Sequence, residues 1–128
     1  MKLLLDTHVL IWWSLDSVKL TKKIYELLTD PENTLVVSIA SIWEMQVKVQ
    51  LGKLDLDKKV SELITHQQQV NNLEVLPIDP VHIYALESLP NEHRDPFDRI
   101  IIAQSIVEAI PLLSADKVFD RYPVERIW

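Results

Sequence analysis

Four acidic residues in remote segments carry the chemistry this chain could perform. Asp6 follows Leu3, Leu4 and Leu5 directly, Glu44 lies in IASIWEM, Asp98 in DPFDR and Asp116 in LLSADK. Three leucines in a row suit a buried strand, so a carboxylate at its end is partly desolvated and needs a compensating charge or hydrogen-bond donors. Carboxylates a few ångströms apart also repel, which pushes at least one pKa up unless a cation joins them. There is no cysteine, and His8, His66, His82 and His93 lack HExxH or similar spacing. An all-oxygen donor set favours hard Mg²⁺ or Mn²⁺ over zinc.

Composition narrows the setting. With 128 residues, 48% of them hydrophobic, the chain is expected to form one domain over 1–128 and to bury about two-thirds of its unfolded surface. The lack of cysteine excludes disulfides and thiol nucleophiles and fits a reducing compartment, so a cytoplasmic location is expected. The apolar run of MKLLLD is far shorter than a signal-peptide core, and Val9 to Trp13 is far short of a membrane span, so a soluble, unprocessed protein without a membrane partner is expected. A net charge of −6 argues against a basic nucleic-acid coat. The single glycine, Gly52, leaves phosphate-cradling loops without their usual parts and makes nucleotide cofactors unexpected.

Short apolar runs read as strands over 2–6, 34–38, 73–78, 110–114 and 124–128, and helical patterns fill 7–15, 21–28, 38–51, 58–71, 80–89 and 96–109. Gly52 falls where a helix C-cap belongs, and Asp79 and Asp95 each precede a proline that can open a helix. Near-continuous apolar strands alternating with helices predict a mainly parallel sheet of four to five strands covered on both faces, a three-layer α/β/α fold. The strands of Leu4, Val36 and Leu113 should be neighbours. In such a sheet the ligand crevice lies beyond the carboxyl ends of the strands, where the four acids gather. The Gln67-Gln68-Gln69 triplet reads as the solvated side of a helix.

Each acid also has a purely structural reading. Asp6 can cap the first helix, and cap and ligand can coexist. Ser41 to Glu44 matches a capping box, with Lys48 four residues on for a helical ion pair. Glu44 nevertheless shares its face with Ala40, Val47 and Leu51, which predicts partial burial. Asp95 is the better cap of its helix, leaving Asp98 free to face the sheet edge above Ile101 and Ile102. Asp116 alone fits a turn or cap. Lys48, Arg94, Arg99 and Lys117 flank the acids and are candidates for gripping phosphate, though each also suits a solvated surface. Trp12 and Trp13 point about 100° apart on a helix, so one is expected in the core and the other against a partner.

LLLDTHVLIWW, SIASIWE, HRDPFDRIIIAQ and LLSADKVF, in this order and spacing, resemble the PIN domains, in particular the VapC-type toxins of toxin–antitoxin pairs. The resemblance covers essentially the entire chain. It implies an endoribonuclease that hydrolyses RNA phosphodiester bonds with Mg²⁺, or Mn²⁺ in its place, held by Asp6, Glu44, Asp98 and Asp116. Asp6 and Asp98 would be the main ligands, Glu44 would act through water, Asp116 would complete the outer shell and Thr7 would assist Asp6. Ser114 stands where the family commonly has threonine, and Asp120 is an alternative fourth acid. The implied partners are RNA, a cognate antitoxin and a second copy in a homodimer. A catalytically silent PIN-fold binding module is the alternative. A haloacid-dehalogenase-like phosphotransfer domain would need a second acid where His8 stands, and a receiver domain would need paired acids beside Asp6.

Overall fold

The computed structural model describes residues 1–91 and 95–128. Five strands, β1 (Lys2–Leu5), β2 (Thr34–Ser38), β3 (Glu74–Leu76), β4 (Leu112–Leu113) and β5 (Arg126–Ile127), form one sheet in the order β3-β2-β1-β4-β5, parallel at every pairing. Leu4 pairs with Val36 on one side and Leu112 on the other, so the strands of Leu4, Val36 and Leu113 are neighbours as expected. Strands β3, β4 and β5 are shorter than their apolar runs. Pro77 and Pro111 flank β3 and β4 and have no N–H to extend the ladder.

Among the described residues the helices are α1 (Thr7–Ser14), α2 (Lys22–Thr29), α3 (Ile39–Gln50), α4 (Val60–Asn71), α5 (Pro80–Ala85) and α6 (Pro96–Glu108), with 3-10 turns over Leu86–Ser88 and Lys117–Arg121. The helix expected over 80–89 thus tightens after Ala85. Strand periodicity sorts the core into two halves. Leu3, Leu5, Leu35, Val37 and Leu113 face Val9 and Leu10 of α1, Ile24 and Leu28 of α2, and Leu63 of α4. Leu4, Val36 and Leu112 face Ile101 and Ile102 of α6 and Phe119. Leu3, Leu4 and Leu5 are fully buried, each contributing roughly 1.5–3 kcal/mol of transfer free energy. The layers are those of an α/β/α sandwich.

Local signals set the helix ends. Asp6 Oδ1 accepts the Val9 N–H at 2.8 Å and starts α1. Asp95 Oδ1 accepts the Phe97 and Asp98 N–H groups at 2.9 and 3.4 Å, ahead of Pro96. After α3, Gly52 at φ 70° lets its N–H reach Val49 O and the Lys53 N–H reach Lys48 O, the paired bonds of a Schellman ending. Ser38, rather than Ser41, caps α3, accepting the Ala40 N–H at 3.0 Å. Ser41 lies buried inside the helix, so the capping box expected from Ser41 to Glu44 does not form. Gln67 corrects a second expectation, being buried where its side chain accepts from Asn71 at 2.7 Å, while Gln68 and Gln69 are exposed.

Candidate metal and nuclease site

The strand order reverses between β1 and β4, because β2 and β3 lie on one side of β1 and β4 and β5 on the other. At such a switch point the connections leave in opposite directions and open a crevice at the carboxyl ends. Asp6 leaves β1 there and Ser114 leaves β4, and the Ser114 hydroxyl donates to Asp6 Oδ2. The Asp116 N–H donates to the same Ser114 oxygen at 3.1 Å. A surface depression is lined by Asp6, His8, Trp12, Ala115 and Asp116. Asp6 therefore caps α1 with one oxygen and meets the β4 end with the other.

Glu44 enters from α3 and is almost wholly buried, at 2% exposure. Thr7 donates its hydroxyl to Glu44 Oε1 at 2.7 Å and shares a 2.9 Å hydroxyl bond with Ser41. Thr7 thus positions Glu44, although it follows Asp6 in sequence. Lys48 Nζ lies 2.7 Å from Glu44 Oε2, so the helical ion pair expected from the four-residue spacing is formed. Asp98 is half-buried in the first turn of α6 above fully buried Ile101 and Ile102. That turn is braced against α3 by Trp43 and Phe97, whose rings meet edge to face at 4.9 Å.

Burial pushes the Asp6 carboxyl above its ordinary range, against the opposing pull of the Ser114 and Val9 hydrogen bonds and of His8; Glu44 adds the smallest upward contribution. A raised acid was expected from carboxylate repulsion. Desolvation is the larger cause.

Asp116 is exposed and accepts the Val118 N–H at 3.0 Å, opening the turn over Lys117–Arg121. Asp120 is instead gripped by Arg126 through Nε and Nη2 at 2.8 and 3.0 Å, while Arg126 Nη1 donates to Ser114 O at 3.0 Å. The Arg126 hydrogen bonds hold the Asp120 carboxyl below its ordinary range. Asp116, not Asp120, lines the depression with Asp6. Of the flanking cations, Arg99 donates to Pro90 O at 2.9 Å and braces the preceding segment. Arg94 and His93 lie outside the described residues.

Asp6 and Glu44 fit a divalent cation by their chemistry: two buried carboxylates, one just past the end of β1 and one within α3, in a set whose donors are all oxygen. Histidine enters a different cluster, which sequence spacing does not reveal. Among the described residues, ligand atoms of Asp79, His82 and Glu108 all lie within 4.8 Å of one another. His82 Nδ1 accepts the Asp79 N–H at 2.9 Å, which leaves the proton on Nε2 to donate to Glu108 Oε1 at 3.0 Å. A cation at Nε2 would force that proton onto Nδ1, against the Asp79 N–H. The group works as a latch between α5 and α6.

Trp12 and Trp13 are both half-buried against the core, and Trp12 also meets Trp128 edge-on at 5.9 Å, with Lys19 Nζ 5.5 Å from its ring centre. Neither is the exposed tryptophan expected on α1. Trp43 is, at 59% exposure on α3.

A comparison with curated protein sequences finds no match. Among solved structures, the chain is similar to VapBC2 of Rickettsia felis, solved bound to a DNA fragment from its promoter, at 19% identity and TM-score 0.71, covering 99% of this chain and 98% of that one. FitAcB of Neisseria gonorrhoeae is similar at 16% identity and TM-score 0.68, covering 98% and 96%. VapBC-1 of nontypeable Haemophilus influenzae is similar at 17% identity and TM-score 0.67, covering 99% and 97%. These likenesses bear on the fold, and the profile of the PIN domain matches residues 3–125, nearly the whole chain with all four acids inside it. An all-parallel sheet that brings Asp6 and Ser114 together at the β1–β4 switch point agrees with that match, and the chain belongs to the PIN domain family.

Proposed function

We propose that this chain is a Mg²⁺-dependent endoribonuclease, with Mn²⁺ able to substitute, and the toxin of a toxin–antitoxin pair acting in the cytoplasm. The observation that carries the reading is the joint burial of Asp6 and Glu44 at the carboxyl end of β1, with Asp116 tied to Asp6 through Ser114. Asp6, Glu44, Asp98 and Asp116 would hold the cation. Bound there, it supplies an activated water and neutralises charge on the phosphate.

The chain's own residues do the positioning. Ser114 and the Val9 N–H fix both oxygens of Asp6. Thr7 fixes one oxygen of Glu44, and Asp95 sets the helix turn that presents Asp98. No protein nucleophile is needed: the Ser114 hydroxyl is buried with its proton directed at Asp6, and the chain has no cysteine. The antitoxin partner follows the VapBC complexes among the structural neighbours. The homodimer would use the apolar stripe of α3, where Ile39 and Trp43 are exposed one turn apart.

A catalytically silent binding module is the second reading, favoured by Lys48, which already compensates Glu44. Calorimetry with Mn²⁺ separates the two. Binding by wild type that is lost in Asp6→Asn supports the nuclease, whereas no binding by wild type supports the silent module.

A further inference from the structure

The pair between Glu44 and Lys48 is unlike an ordinary pair on a helix surface. The Glu44 side chain is 3% exposed and the Lys48 side chain 36%, with 2.7 Å between their charged atoms. A buried carboxylate without compensation is strongly unfavourable, and hydrogen bonds alone do not remove the cost of its charge. Here one Glu44 oxygen is served by Thr7 and the other by Lys48. The ammonium thus stands where a cation ligated by Oε2 would place its charge. Lysine is suited to such a post, because its flexible four-carbon stem can carry a compact charge to a nearby position in solvent.

We infer that Lys48 is a tethered counter-ion for Glu44 that a bound divalent cation displaces, and that the freed ammonium then meets an RNA phosphate. This rests on the nuclease reading and adds to it a role for one residue. Three links support it. A cation ligated by Oε2 competes with Lys48 for the charge of the same carboxylate, and a cation close to Glu44 repels the ammonium. The partial exposure of Lys48 gives it a route outwards. Displacement then moves a positive charge out into solvent, from which a polyanion must arrive. Lys48 acts on the cation through Glu44 and on the substrate by direct contact with a phosphate.

The test uses the full chain with Lys48→Met, Lys48→Gln and Lys48→Arg. Mn²⁺ affinity is read by calorimetry, stability by melting with and without Mn²⁺, and RNA affinity with a short mixed-sequence single strand in the presence of Ca²⁺ in place of Mn²⁺, so that all four acids stay intact. Removing the competing charge should tighten Mn²⁺ binding about two- to fivefold, the factor that corresponds to a partly exposed ion pair. Lys48→Met should also melt lower without metal, gain more on adding Mn²⁺, and bind RNA more weakly. Lys48→Gln should follow Lys48→Met in Mn²⁺ affinity, while Lys48→Arg should stay near wild type in both. Tighter Mn²⁺ binding together with weaker RNA binding is the signature, since a merely structural lysine would weaken both or neither. Unchanged or weaker Mn²⁺ binding in both neutral variants would overturn displacement, and unchanged RNA affinity would overturn the phosphate contact. If wild type itself binds no Mn²⁺, the nuclease reading fails as well; if it binds and the variants match it, this inference alone fails.

Discussion

Ser114 reaches Asp6 across 108 residues of chain, its buried hydroxyl donating to Oδ2 at the junction of β1 and β4. The same oxygen accepts the Asp116 N–H, so one small side chain links two of the four acids. Ser114→Ala should lower stability by about 1–3 kcal/mol, because Asp6 then loses a donor in a desolvated place. Activity should fall roughly 10–100-fold, the scale on which supporting partners of metal ligands act. Ser114→Thr should retain most of both. Melting and cleavage assays on the two variants check this.

Asp6 gives a pH signature in the metal-free protein. Burial raises its folded-state pKa above that of the unfolded chain, so the folded form keeps its proton to higher pH. The contribution of Asp6 to stability is therefore intact below the unfolded value and declines as pH rises through the folded value. Asp6→Asn keeps an oxygen for the cap and carries no charge. In EDTA its melting temperature should rise relative to wild type as pH increases through that window, reaching the largest difference above the folded value. A difference constant with pH would mean that the Asp6 charge is not the source.

Asp95 and Asp98 are separated by what each holds. Asp95 spends its Oδ1 on the start of α6, so Asp95→Ala should lower stability by about 1 kcal/mol and Asp95→Asn should keep most activity. Asp98→Asn should remove activity while leaving the melting temperature within a few degrees. Equal loss of activity in Asp95→Asn and Asp98→Asn would contradict this division.

Asp116 and Asp120 divide in the same way. Asp120 is held by Arg126, so Asp120→Asn should leave Mn²⁺ affinity near wild type, whereas Asp116→Asn should weaken it. Calorimetry on the two variants decides which is the fourth acid.

Much of this was legible in the chain itself. Apolar runs such as Leu3 to Leu5 mark buried parallel strands without alternation, and Asp95-Pro96 and Gly52 mark helix ends by backbone chemistry that acts locally. Asp6 and Asp116 could be placed past strand ends because each follows such a run, and Asp98 in the first turn of a helix because Asp95-Pro96 opens it. Contacts between remote residues were not legible. Thr7 serves Glu44 rather than Asp6, and His82 meets Glu108; no sequence spacing announces either bond. Ser38 and Ser41 could both cap α3, and the choice fell to Ser38 because β2 ends there, leaving Ser41 inside the helix. Adjacent spacing on α1 predicts an exposed tryptophan there, yet Trp12 finds cover from Trp128 at the far end of the chain. Trp43 was left on the surface instead.

The most direct measurement is cleavage of single-stranded RNA by the purified chain, with Mg²⁺ or Mn²⁺ and with EDTA, for wild type and for Asp6→Asn, Glu44→Gln and Asp98→Asn. Metal-dependent cutting by wild type is predicted, with loss of at least about a hundredfold in each variant, as expected when an interaction with the reacting centre is removed. Cleavage by wild type that persists in EDTA, or normal cleavage by Asp6→Asn, would contradict the metal-site account.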